Sequence, residues 1–97
     1  MSRQRFMAKK IILKGIVQGV GCRGYTARYA RIFGLKGSAT NLNNGTVRLL
    51  IDCDDDKIIS AYISALIQNP KGIMFYGKIT DFEVNDYDGK ITGDYVF

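Results

Sequence analysis

A chain of 97 residues, 46% hydrophobic with 11 Gly and a single Pro, can bury roughly 60 to 70% of its unfolded surface around one core, and its composition excludes a disordered or proline-rich segment. The net charge of +5 is unevenly spread: ten Lys and Arg and no acid precede Asp52, giving +10, whereas nine acids and four lysines follow, giving −5. This asymmetry points to an anionic partner for the first half, nucleic acid or a small phosphate, while the absence of His removes the imidazole as general base or metal ligand, and two Cys make a poor metal site. Apolar runs are only a few residues long and Lys9 and Lys10 interrupt the first of them, so neither a membrane span nor a signal peptide is expected. The expected location is the cytosol.

In chain order, residues 9–16 read as a first strand, with Ile11, Leu13 and Gly15 on one face and Ile12 and Ile16 on the other. From Cys22 the spacing turns helical, placing Cys22, Thr26, Tyr29, Ala30 and Phe33 on an inner face, with Gly34 set to end the helix. Residues 36–41 form a short second strand. A turn follows in which Asn44-Gly45 is a hairpin signal, and residues 46–53 form a third strand with Val47, Leu49, Ile51 and Cys53 alternating. The second helix covers residues 54–69, opened by acids that suit its positive end, closed by Pro70, and turning Ile59, Tyr62, Ile63 and Leu66 inward. The acids at 52–56 read as that helix's cap rather than as a cation site. Residues 78–84 and 92–97 supply two more strands. The order is β-α-β-β-α-β with one added strand, an α+β class with the split β-α-β arrangement of ferredoxin-like folds: a five-stranded, mostly antiparallel sheet with two helices on one face. One domain is expected over residues 1–97, with residues 1–7 as a flexible tail.

The run Gly15-Ile16-Val17-Gln18-Gly19-Val20-Gly21-Cys22-Arg23 lies between a strand and a helix, where successive backbone N–H groups and a helix N-terminus can surround an anion. Arg23 can add a planar two-pronged donor to the same anion. Taken alone, the same run is equally a glycine-rich turn followed by a surface arginine. Gly19, Gly21 and Gly24 spell G-x-G-x-x-G, but no acid stands about 20 residues later to hold a ribose, and the Gly-Lys-Ser/Thr of a P-loop is missing. Cys22 and Arg28 have thiol-phosphatase spacing, yet the residues between them are helical, and Cys22 reads as a buried, inert thiol.

Taken together, this run and Gly37-Ser38-Ala39-Thr40-Asn41-Leu42-Asn43-Asn44-Gly45-Thr46-Val47 resemble the two signatures of the acylphosphatase family, in the family's order and separation. Gly34-Leu35 also looks like the family, and the element order is similar to its ferredoxin-like fold over nearly the whole chain. The resemblance implies that Arg23 binds a substrate phosphoryl group together with the backbone amides of Val17, Gln18, Gly19, Val20 and Gly21, and that Asn41 holds the attacking water. An amide side chain both donates and accepts, so it can orient a water without taking its proton. No His or carboxylate accompanies the two signatures in the sequence. A site free of proton-transferring side chains is therefore expected, with the water's proton passing to the substrate's phosphate oxygen. Direct hydrolysis of small acyl phosphates follows from the resemblance, with no metal, no cofactor and no phosphoenzyme, in a monomer that binds neither nucleic acid nor membrane.

This sequence departs from the family pattern at Cys22 and Ser38, where aromatics are expected, at Thr40, and at Cys53, where glycine is usual. A smaller residue at 22 would hold Arg23 less firmly and slow turnover. Parallel neighbouring first and third strands would bring Cys22 and Cys53 together. A disulfide is then conceivable, although free thiols suit a reducing compartment. Two other readings are weighed. A carbamoyl-phosphate-handling domain like that of the hydrogenase-maturation carbamoyltransferases would require further domains. An RNA-binding module would expose aromatics on its central strands, whereas residues 9–16 and 46–51 contain none.

Overall fold

The computed structural model describes residues 8–97, so the expected tail at residues 1–7 lies outside it. The elements are β1 (Ala8–Ile16), α1 (Cys22–Ile32), β2 (Gly37–Asn41), β3 (Val47–Ile51), α2 (Asp56–Gln68), β4 (Lys78–Tyr87) and β5 (Tyr95–Val96). They form a five-stranded sheet in the order β4-β1-β3-β2-β5. Every neighbouring pair is antiparallel, β1 and β3 included, with Lys9 opposite Ile51 and Leu13 opposite Val47. This is the ferredoxin-like α+β arrangement that the element order implied, with one correction. Because β1 and β3 run in opposite directions, the end of β1 that leads to Cys22 lies beside the start of β3, and Cys53 follows β3 at the far end. Both cysteines are free thiols.

Period-two alternation buries Ile11 and Leu13 of β1, Ala39 of β2, and Val47, Leu49 and Ile51 of β3 on one face of the sheet. Cys22, Tyr25, Tyr29 and Ala30 of α1 and Ile59, Tyr62, Ile63 and Leu66 of α2 close over them in a single cluster. Tyr25, which the helical pattern did not place inside, is almost fully buried because its hydroxyl has somewhere to go: it donates to the Leu66 carbonyl at 2.7 Å, and Tyr62 returns the bond to the Thr26 carbonyl at 2.8 Å. Each tyrosine thus crosses to the opposite helix's backbone, and neither hydroxyl is buried unsatisfied. Phe75 stacks on Tyr25 with ring centroids 4.3 Å apart, which seats the segment before β4 against α1.

Boundaries moved where side chains outcompeted the ladder. The Asp55 carboxylate accepts from the N–H groups of Lys57 and Ile58, so α2 begins at Asp56, and of the acids at 52–56 it is Asp55 that caps the helix. β1 keeps its alternation only to Lys14. A bulge between Lys14 and Gly15 breaks the register with β4, and Gly15 is exposed rather than facing inward with Ile11 and Leu13. β4 runs three residues past the expected Val84, because β1 offers partners back to Ala8, opposite Tyr87. β5 is confined to Tyr95 and Val96, because Thr92 and Asp94 bond side chains of β2 in place of its ladder. Lys9 lies between Asp56 at 3.0 Å and Asp86 at 2.5 Å. Hydrogen bonds to Asp86 and then Asp56 hold its ammonium well above the usual lysine range. Lys14 pairs with Glu83. These contacts join the basic first half of the chain to the acidic second half, so part of the charge asymmetry is spent inside the fold.

Candidate functional site

The loop between β1 and α1 turns on Gly19 and Gly21, which adopt φ of 73° and 80°, a left-handed conformation that strains any residue with a Cβ. Gly21 is the N-cap of α1 and supplies no side chain to its first turn. Among the described residues, the N–H groups of Gln18, Gly19, Val20 and Gly21 donate to no carbonyl or side-chain acceptor. Four adjacent amide donors without partners among the described residues, followed by the positive end of an 11-residue helix, suit an anion.

Arg23, in the first turn of α1, and Asn41, at the end of β2, line one cleft of about 200 Å³ together with Val17, Gly19, Gly21, Cys22, Gly24 and Tyr95. Asn41 shares the helix-side face of β2 with Ala39 and stands opposite Val47 in the ladder, which directs it toward this loop. Thus five of the seven residues picked out in the sequence, Val17, Gly19, Gly21, Arg23 and Asn41, line the same cleft. Gln18 and Val20 do not. The Gln18 side chain turns away to donate from Nε2 to the carbonyls of Leu42, at 2.7 Å, and Thr46, at 2.9 Å. Val20 lines a neighbouring cleft with Tyr25, Arg28, Met74 and Tyr76, and its carbonyl accepts from the Tyr76 N–H at 3.1 Å. A cleft of about 330 Å³ between α2 and β4 is larger but apolar, lined by Ile59, Ile63, Ile67, Phe82 and Val84 with the Asp56 carboxylate at its edge. It offers an anion no cationic donor.

A carboxylate that the sequence reading did not single out, that of Asp94, lies beside two of these residues. Asp94 Oδ2 lies 3.6 Å from Arg23 Nη1 and accepts from the Asn41 N–H at 3.2 Å. Asp94 follows Asn41 by 53 residues, a separation at which no spacing rule applies. The pairing of β2 with β5, Ala39 opposite Tyr95, brings it there.

Cys22 is buried at the head of α1, only 2% exposed. Burial pushes its thiol from an ordinary 9.0 up to about 12, against a smaller downward pull from Arg23. A neutral thiol is no nucleophile, so the spacing shared with thiol phosphatases carries no chemistry here. Ser38 and Thr40 have a use of their own: Ser38 Oγ donates to the Thr92 carbonyl at 2.8 Å, and Thr40 Oγ1 accepts from the Asp94 N–H at 3.1 Å. No group of three or more His, Cys, Asp or Glu able to hold a metal ion is gathered among the described residues, and no helix among them is long and apolar enough to cross a membrane.

Residues 9–96 match the family model described as Acylphosphatase. The chain is 32% identical over 82 residues to an acylphosphatase of Caldivirga maquilingensis, covering 82% of this chain and 86% of the other. A shorter stretch of 47 residues is 45% identical to the acylphosphatase of Deinococcus radiodurans, spanning 48% of this chain and about half, 54%, of that relative. The fold superposes on the crystal structure of acylphosphatase from Bacillus subtilis with a TM-score of 0.67 at 26% identity, over 91% of this chain and 92% of that one.

Proposed function

The chain belongs to the acylphosphatase family, and from that premise we propose that it hydrolyses the carboxyl-phosphate bond of small acyl phosphates by direct attack of water, without a metal. What supports this reading is that Gly19 and Gly21, whose N–H groups have no acceptor among the described residues, line one cleft with Arg23 and Asn41. The amides and the guanidinium hold the phosphoryl oxygens and offset charge on them as the reaction proceeds. The Asn41 carboxamide orients a water toward phosphorus on the side away from the leaving group.

The bond from that water's oxygen to phosphorus forms as the bond from phosphorus to the acyl oxygen breaks. The electron pair of the broken bond leaves on the carboxylate, and the water's proton passes to a phosphate oxygen. An acyl phosphate dianion and water thus become a carboxylate and dihydrogen phosphate, with atoms and charge conserved. A carboxylate is a good leaving group and needs no protonation, which suits a site without a histidine. Basic charge in the first half of the chain is then the field of a phosphate site, and the same reading makes the protein a soluble monomer acting on a small molecule.

The test is hydrolysis of benzoyl phosphate in EDTA by the parent protein and by Arg23→Ala and Asn41→Ala. Turnover is expected to fall about 10²- to 10³-fold in each variant, the usual loss for one preorganised donor, with binding of inorganic phosphate weakened mainly by Arg23→Ala. Activity that needs an added metal ion, or full activity without Arg23, would overturn the mechanism.

A further inference from the structure

Asp94 has no part in the chemistry above, yet it touches both residues assigned to that chemistry. Its seat is built with some care. Ser38 Oγ donates to the Thr92 carbonyl, Thr40 Oγ1 accepts the Asp94 N–H, and the Phe97 and Gly37 backbones exchange bonds of 2.8 and 3.0 Å farther along. Between Thr92 and Asp94 the chain passes so close to β2 that a Cβ on Gly93 would stand 2.2 Å from Thr40 Oγ1 and 3.0 Å from Ser38 Oγ. A side chain there would push the Thr40 and Ser38 side chains aside, so the close approach to β2 that delivers Asp94 favours glycine at 93. The Asp94 carboxylate is thereby held beside Arg23 and the Asn41 backbone, two residues that line the cleft. The ion pair itself is loose: 3.6 Å is too long for a hydrogen bond, and the two side chains are 42% and 46% exposed.

A carboxylate so placed occupies part of the donor field that a phosphoryl group needs, and it repels a dianion that approaches. We propose that Asp94 is a resident competitor for the anion site: it draws Arg23 toward β5 when the cleft is free, yields it when phosphate enters, and so weakens the hold on phosphate and favours product release. This inference rests on the assignment of Arg23 to phosphate binding. It adds an affinity-setting residue that the mechanism does not require.

The sign of the effect separates competition from other roles. Asp94→Asn keeps an oxygen to accept the Asn41 N–H but removes the charge, and Asp94→Ser provides a second, smaller replacement. Calorimetric titration with inorganic phosphate at low salt is expected to show about two- to fivefold tighter binding in both variants, the range for a half-exposed ion pair. The gain should shrink at high salt and vanish in an Arg23→Ala background. Turnover of benzoyl phosphate should persist. Phosphate binding that is unchanged or weaker in the Asp94 variants would overturn the proposal, as would a hundredfold loss of turnover at unchanged phosphate affinity, the mark of a proton acceptor. Phosphate binding indifferent to Arg23 would instead overturn the function proposed above, whereas dependence on Arg23 with indifference to Asp94 would remove this inference alone.

Discussion

Gln18 donates its amide N–H groups to the Leu42 carbonyl at 2.7 Å and the Thr46 carbonyl at 2.9 Å, tying the loop after β1 to the turn after β2. Both carbonyls also accept backbone bonds across that turn, from Gly45 and Leu42, so Gln18 does not complete the turn. It joins two segments that each carry one half of the cleft. This side chain thus adds a direct tie between the loop and the turn after Asn41 to the β1-β3-β2 ladder.

Gln18→Ala should separate activity from stability. The two carbonyls keep their backbone partners, so unfolding by urea should show a loss of only about 1 kcal/mol. The kcat/KM for benzoyl phosphate should fall roughly tenfold, because small displacements between a bound group and the water that attacks it are costly. An unchanged kcat/KM would show that the loop keeps its place without this strut.

Asn69 ends α2 in a left-handed conformation, φ 50°, and its carboxamide ties three groups: Oδ1 accepts from the Tyr29 hydroxyl at 2.7 Å and the Ile73 N–H at 2.9 Å, while Nδ2 donates to the Ile73 carbonyl at 2.8 Å. Asn69→Gly preserves the backbone conformation and loses these bonds, an expected cost of about 2 to 3 kcal/mol. Asn69→Ala adds left-handed strain of about 1 kcal/mol. Urea midpoints should therefore rank the parent above the glycine variant and the glycine variant above the alanine variant. The reverse order of the two variants would exclude backbone strain as a contributor.

The Cys22 thiol has its ordinary value of 9.0 in the unfolded chain and about 12 in the folded one. Below 9.0 both forms are protonated and stability is unaffected. Above it only the unfolded chain gives up the proton, so stability falls as pH rises, by at most about 1.4 kcal/mol per pH unit. Cys22→Ala should flatten the fall in the urea midpoint between the ordinary thiol value of 9.0 and the ordinary tyrosine value of 10.0, beyond which Tyr25, itself raised to about 12 by burial, adds a loss of the same sign. A thiol reagent should label the partly exposed Cys53 in the native protein and reach Cys22 only on unfolding. Equal labelling of the two would contradict the burial of Cys22.

Part of the candidate site was legible because it is local: a glycine loop between a strand and a helix with an arginine in the first helical turn is one short stretch of backbone that suits an anion. Asn41, before Asn44-Gly45, reads locally as a turn-entry residue and joins the candidate site through the resemblance to the acylphosphatase signatures. The core followed from alternation and helical spacing wherever a residue was simply apolar. Tyr25 escaped because its burial depends on a carbonyl of the other helix. The parallel pairing assumed for β1 and β3 failed because strand direction within a sheet comes from topology, and side-chain alternation is the same in either direction.

The sequence by itself determined that the first half of this chain carries a glycine-rich loop between a strand and a helix, with Arg23 in the first helical turn and Asn41 at the end of the next strand, in a chain without histidine. Only the tertiary structure decided that Asp94 stands against both residues, that Gln18 joins the loop to the hairpin, and that Cys22 and Cys53 lie at opposite ends of the sheet. Each of these depends on which strands are neighbours and in which register. That is a global balance of packing and hydrogen bonding among distant segments, and it leaves no spacing in the sequence by which Asp94 could be matched to Arg23.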